Sequence, residues 1–330
     1  MAQERVFGET KQVAVTVLVD NMTDMLLKST DTVIRYTQES GEPLLAEHGL
    51  SALVDLKDSG VRVLWDAGIT EITLIENMRR MKVDPTTIDK IALSHGHPDH
   101  IMAMTEVIKQ IAGRPQPRNW DAQATSQEIT GWIENQRVPL VAHPAAMRER
   151  WKRFPDGTKY GPMITPFDEW KAAGAEIILS EGPYQLAPGC WLTGAVPRRT
   201  FEKAGTPAIF AYRDNGDFAR DLVDDDQAIV INVAGKGLVI VAGCAHSGIL
   251  NTVDYAREIS GVERVWGILG GFHLISSTED EIQQTIDRVK ALDPVIVVPT
   301  HCTGFTAIRM FADQMPQAFV LGVVGTTYLF

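Results

Sequence analysis

The sequence predicts an α/β protein in which helices cover mixed sheets, and three observations predict it. Strand-sized apolar runs alternate with windows of helical periodicity along the chain. The longest of those runs, AIVINVA at 228–234 and LVIVAGCA at 238–245, fall well short of the roughly 18–20 residues that cross a bilayer. A loose succession of hairpin, strand, polar cluster and helix occurs in each half, which implies sheets packed beneath helices.

The elements follow in order. VAVTVLVD (13–20) is rich in β-branched residues and reads as a buried strand feeding a loop at Asp20-Asn21. LSALVDLK and VRVLWDAG (50–68) flank Asp58-Ser59-Gly60, a hairpin signal. A helical pattern over 70–81 stops at Asp84-Pro85, and a short strand at 88–94 runs into His95-Gly96-His97-Pro98-Asp99-His100. A helix over 101–111 comes next. Residues 113–125 are Pro-rich, 138–143 return to strand character, and 151–166 read as loop. Strands follow near 175–179, 191–196 and 207–213, and the Asp-dense run 213–226 reads as a solvated excursion. The second half holds a hairpin (227–245), a helix (249–260), a strand (265–269), a helix (278–292) and a strand (295–299).

Composition bounds the partners. Thirty-one Lys and Arg against 42 Asp and Glu leave a net charge of −11, which argues against nucleic acid or an anionic membrane as a partner. Three widely spaced cysteines without a CxxC pair argue against a disulfide scaffold and for a reducing compartment. The N-terminal MAQERVFGETKQ lacks the apolar stretch of a signal peptide. The expectation is a soluble, cytoplasmic protein, with homo-oligomer formation left open. No linker separates independent units, so 1–330 read as one domain with insertions near 113–136, 151–170 and 213–226.

The chemistry concentrates in His95-x-His97-x-Asp99-His100, four metal-ligand types within six residues at a strand exit. Imidazole and carboxylate suit zinc, then Mn2+ or Fe2+. On a loop, residues 95 and 97 can face one position while 99 and 100 turn to another, a spacing suited to two divalent ions. His246 and His301 each follow a buried strand and join the candidate ligands. His273, in a Gly270-Gly271-Phe272-His273 turn, is a candidate general acid or substrate contact. Arg198 and Arg199 could clamp a phosphate or carboxylate, and Asn21 could line the pocket. Trp120, Trp132, Trp151 and Tyr160 could line its mouth, although satellite packing is the commoner fate of such residues.

HGHPDH matches the HxHxDH motif of the metallo-β-lactamase superfamily, which the chain thus resembles. LVDN (18–21), LWDAG (64–68), AGCAHSGILN (242–251), GGFHL (270–274) and PTHCTG (299–304) resemble one branch of it. That branch takes its name from 7,8-dihydropterin-6-ylmethyl-4-(β-D-ribofuranosyl)aminobenzene 5′-phosphate synthase. The resemblance implies an αββα sandwich of two mixed sheets flanked by helices, with the site at one edge. It also implies that His95 and His97 bind a first metal, that Asp99, His100 and His301 bind a second, and that Asp66 orients the motif loop from behind. Cys244 stands where many members carry a bridging Asp. Either its thiolate or His246 takes that place, and His246 is the preferred reading, with Cys244 behind the ligands. His143 is one candidate for a middle histidine that lacks an obvious match. Flavodiiron relatives carry Glu where His97 stands and a flavin domain downstream, and this chain has neither.

The leading expectation is a dinuclear metal-dependent hydrolase of a small anionic substrate, a phosphate ester foremost, with Asp99 and His273 as catalytic groups. The branch's synthase chemistry is the alternative. A catalytically silent ligand sensor ranks last, because the main cluster is intact.

Overall fold

The computed structural model describes residues 7–112, 123–134, 137–202 and 207–330. Residues 113–122, with Trp120, and 135–136 of the expected first insertion lie outside the described residues, as does the side chain of Trp132.

The first sheet has eight strands. In spatial order they are β2 (Val33–Ile34), β18 (Thr327–Leu329), β1 (Val13–Val19), β3 (Ser51–Leu56), β4 (Val61–Trp65), β5 (Lys90–Ala92), β6 (Val138–Ala142) and β9 (Ala175–Leu179). The second has six: β10 (Tyr184–Ala187), β11 (Cys190–Leu192), β14 (Ala228–Val233), β15 (Gly237–Ala242), β16 (Val265–Gly271) and β17 (Ile296–Thr300). Both sheets are mixed, and for the same reason. In each, a tight hairpin (β3–β4, β14–β15) pairs antiparallel and then hands over to parallel strands (β5–β6, β16–β17) through helical crossovers. The similarity of the two halves is thus a repeated topology.

Period-two side-chain alternation builds the layers. Val54, Val63 and Trp65 of the first sheet meet Ile229, Val239 and Val298 of the second in one central core. The opposite face of the first sheet, with Leu53, Leu64 and Ile91, packs on α1 (Thr73–Arg80), α2 (Met104–Ala112) and α4 (Phe167–Ala173). The opposite face of the second, with Val230, Ile240 and Ile268, packs on α5 (Ile249–Ser260), α6 (Glu279–Ala291) and α7 (Phe305–Gln314). The order is helix, sheet, sheet, helix. A seventh helix, α3 (Ser126–Glu134), lies within the expected first insertion. No described helix is long and apolar enough to cross a membrane.

Two expectations need correction. Residues 151–166 are not simply loop: β7 (Arg150–Arg153) and β8 (Lys159–Met163) pair there. The run 213–226 is not a solvated excursion either. Its start forms the hairpin of β12 (Phe210–Asp214) with β13 (Asp217–Arg220), and β7 pairs on to β12, giving a third, antiparallel sheet in the order β13-β12-β7-β8. Its end turns inward, where Asp221, Asp225 and Asp226 are buried. Three carboxylates enter the interior because each finds a donor there: Asp221 and Asp225 on Arg150, Asp226 on the Ser247 amide.

Candidate metal centre

Strand β5 ends at Ala92, and the loop that follows is held by Asp66 and Asp225 from outside it and by Ser94 within it. Asp66 sits at the end of β4 with a left-handed backbone (φ 59°). Its Oδ1 accepts the Ser94 amide at 2.7 Å and its Oδ2 meets His100 Nδ1 at 2.7 Å. The Ser94 hydroxyl lies 2.9 Å from His95 Nδ1. The Gly96 amide donates to Asp225 Oδ2 at 2.7 Å. Gly96 has no room for a side chain, since a Cβ would lie 2.5 Å from Thr165 Oγ1 and 2.7 Å from Arg150 Nη1. Pro98 opens a short 3-10 turn over Pro98–His100, and the His100 ring lies 4.2 Å from the His95 ring, centroid to centroid.

The second sheet brings its ligand types from three separate strand ends. Gly243, after β15, lies so close to Ser94 that any Cβ would collide with it, and this approach lets Cys244 Sγ come within 3.2 Å of His100 Nε2. The His246 ring packs 4.8 Å from His95, 4.9 Å from His97 and 4.1 Å from His273, centroid to centroid. His301, after β17, faces Asp99 with Nε2 3.3 Å from Oδ2. Its amide donates to the buried Asp20, and its carbonyl accepts from Asn21 Nδ2 at 2.9 Å. Non-glycine residues Asp66, Ala245, His273 and His301 all take left-handed backbone here. Such strain persists only where surrounding contacts fix it, and it gathers at functional sites.

Among the described residues three groups of donor atoms result, each with its atoms within 4.8 Å of one another: Asp99, His100, Cys244 and His301; His95, Cys244 and His246; and Cys244, His273 and Cys302. His97 joins through His95, with His95 Nε2 3.0 Å from His97 Nδ1. Cys244 stands in all three groups, beside His246 rather than behind it.

The electrostatics suit cation binding. Burial and neighbouring imidazoles hold His95 and His246 far below the usual histidine range, and burial with Arg150 holds His97 down at about 3. These shifts favour the neutral rings that metal ligation requires. Burial opposes charge on His100, but Asp99 and Asp66 outweigh it and raise it to about 9. A divalent ion would displace that proton. Against the pull of burial, His100 and His301 keep the Asp99 carboxyl well below the usual carboxylate range. Asp99 is thus held as a charge-bearing group beside the two histidines.

Other expectations land elsewhere. His143 accepts the Ala145 amide at 3.1 Å and caps a short turn, outside the three donor groups. Arg198 donates to the carbonyls of Leu222 and Val223, and Arg199 pairs with Glu258 on the surface. Neither arginine lines the cavity that opens on the donor groups. Asn21 and Tyr160 do line it, whereas Trp151 packs against Phe218. Sequence reading gave His48 no place here, yet its ring stacks on His301 at 5.2 Å, and Nε2 lies 3.6 Å from Asp99 Oδ2. Cys302, Asp20, Arg150 and Asp225 were also missed. Only Asp20 and Cys302 carried a signal, lying inside the LVDN and PTHCTG segments.

The cavity is about 820 Å³, with Lys152, Tyr160 and Phe210 of the third sheet on one wall and Ile275, Phe305 and Ile308 on another. Lys152 Nζ lies 5.1 Å from the Phe210 ring, which is itself 5.8 Å from the His97 ring.

Residues 46–114 match the family model described as the metallo-beta-lactamase superfamily. Over 283 residues the chain is 30% identical to a 7,8-dihydropterin-6-methyl-4-(beta-D-ribofuranosyl)-aminobenzene-5′-phosphate synthase of Methanocaldococcus jannaschii, covering 84% of this chain and 88% of that protein. The chain belongs to the metallo-β-lactamase superfamily. An uncharacterized protein of the same organism is also 30% identical, over 280 residues that cover 85% of this chain and 92% of that one. Among solved structures, one described as a metal-dependent hydrolase of the β-lactamase superfamily shares the fold. Its TM-score is 0.70 at 22% identity, with 96% of this chain and 98% of that one covered.

Proposed function

We propose that the chain is a dinuclear metal-dependent hydrolase acting on a small anionic substrate, a phosphate ester foremost. The observation that carries this reading is the pair of donor groups, Asp99–His100–Cys244–His301 and His95–Cys244–His246, meeting at one thiol on the floor of one cavity. Imidazole, carboxylate and thiolate donors together favour Zn2+, with Mn2+ or Fe2+ as alternatives. Two such ions, when bound, supply Lewis acidity and activation of water near neutral pH.

The chain's own residues do the rest. Asp66 and Ser94 fix the rings of His100 and His95, so the donors need little rearrangement on loading. Asn21 and Lys152 are among the polar groups on the walls that can meet a substrate anion, and Lys152 replaces the arginine pair in that role. Apolar walls exclude water around the reacting bond.

Phosphoesters, lactones and thioesters assayed with and without chelator test the reading. Chelator-sensitive turnover of one class is expected, and none on any class would count heavily against hydrolysis. Metal counts test the ligands: both His246→Ala and Cys244→Ala should lower the metal bound per chain, and a full complement in either variant removes that residue from the set.

The 30% identity to the synthase favours a second reading, transfer of a dihydropterin group to an aminobenzene ribofuranosyl phosphate. Coupled product from those two substrates, with no chelator-sensitive hydrolysis, would displace the first reading.

A further inference from the structure

The third donor group points to a further site, which shares only Cys244 with the pair of groups above. We infer that Cys244, His273 and Cys302 form a thiolate-rich corner that binds a cation of its own, a thiophilic divalent ion such as Zn2+. The two sulfurs and a ring nitrogen of His273 lie within 4.8 Å of one another. Neither cysteine is in a disulfide. Cys302 Sγ has a weak contact to the Cys244 carbonyl at 3.5 Å, and His273 Nδ1 is buried without a hydrogen-bond partner among the described residues.

The corner is built rather than incidental. Its three members come from the ends of β15, β16 and β17, which parallel pairing brings side by side. Gly271 allows the approach, because a Cβ there would lie 2.6 Å from Cys302 Sγ and 3.2 Å from the Cys244 Cα. His273 holds φ at 48°, an unfavourable setting for a residue with a side chain, and this aims its ring at the thiols.

The donor chemistry selects the occupant. Two thiolates and an imidazole are soft to borderline ligands, suited to zinc and its neighbours and poorly suited to Mg2+ or Ca2+. Three protein ligands leave one position open, the pattern of reactive rather than structural zinc, and all three residues line the cavity. Loading releases the protons of whichever thiols are neutral. His273 then becomes a ligand instead of a proton donor to a leaving group. The corner shares Cys244 and the cavity with the dinuclear reading but does not require hydrolysis.

The test uses the reduced, metal-stripped full chain titrated with Co2+ alone. Metal per chain is counted by mass spectrometry, and the near-ultraviolet sulfur-to-cobalt charge-transfer band is recorded. Cys302→Ser and His273→Asn should each lose one cobalt per chain relative to wild type, and Cys302→Ser should also weaken the band. Circular dichroism establishes that each variant is folded, and a folded result from either variant decides the question. A folded Cys302→Ser or His273→Asn with the wild-type cobalt count overturns the corner. A wild-type chain that binds no cobalt sinks both this inference and the dinuclear reading, whereas a wild-type chain that binds two ions, with two retained in every variant, sinks only this one.

Discussion

The two sheets supply the site in opposite ways. The first delivers four donors from one contiguous loop, and the chain itself braces that loop: Asp66 and Ser94 hold the rings, and Asp225 holds the Gly96 amide. The second delivers its donors from three distant strand ends, and there the ring nitrogens of His246 have no hydrogen-bond partner among the described residues. A braced loop is organised before loading, whereas buried and unpaired nitrogens are satisfied only by what binds. The first sheet therefore templates the site and the second closes it.

Breaking the brace should have the largest effect. Arg150 is buried between Asp221 and Asp225 and reaches the motif loop through Asp225. Arg150→Ala leaves two buried carboxylates uncompensated, so a loss of about 3–5 kcal/mol in urea denaturation is expected. A loss below about 1 kcal/mol would show that the third sheet does not brace the loop.

Asp66→Asn is the finer cut. It keeps the shape but removes the charge that orients His100, and competition against a chelator should read metal affinity weaker by about 10–100-fold. Unchanged affinity would mean that the loop holds its ring without Asp66.

Chelation sharpens the contrast directly. Amide hydrogen exchange around 244–248 and 301–304 should accelerate by about tenfold on metal removal, with 94–100 changing much less. Equal acceleration in both sets would erase the distinction between template and closure.

The smallest effect lies behind the second sheet. Burial raises Glu202 from its ordinary 4.5 to about 7, although the amides of Leu250 and Asn251 oppose the shift. Between those values the folded chain binds more protons than the unfolded one, so stability falls as pH rises. Its contribution is complete below about 4.5 and gone above about 7. Glu202→Gln keeps the acceptor for the amides at the start of α5. It should flatten this decline by on the order of 1–2 kcal/mol in denaturation at pH 5 against pH 8. An identical slope in both proteins would refute the assignment.

Much of this was legible in the sequence, and the reason is locality. Period-two runs and tight hairpin turns are written within a few residues, so the two mixed sheets could be read from β3–β4 and β14–β15. HGHPDH could be read for the same reason, since every donor lies within one loop. The third sheet could not, because the β7–β12 pairing joins segments some sixty residues apart through strands with little alternation. The Asp-dense run was misread because composition reports charge but not the Arg150 that neutralises it inside.

The sequence by itself determined the layered α/β architecture and the metal-ligating character of the motif loop, both consequences of short-range pattern. Tertiary structure alone decided which distant side chains complete the site. It brought in His48 and Cys302, sent Arg198, Arg199 and His143 elsewhere, and placed Cys244 at the meeting point of all three donor groups. Strand register and the bare backbone of Gly243 and Gly271 set those distances. Neither is encoded at the positions whose chemistry depends on them.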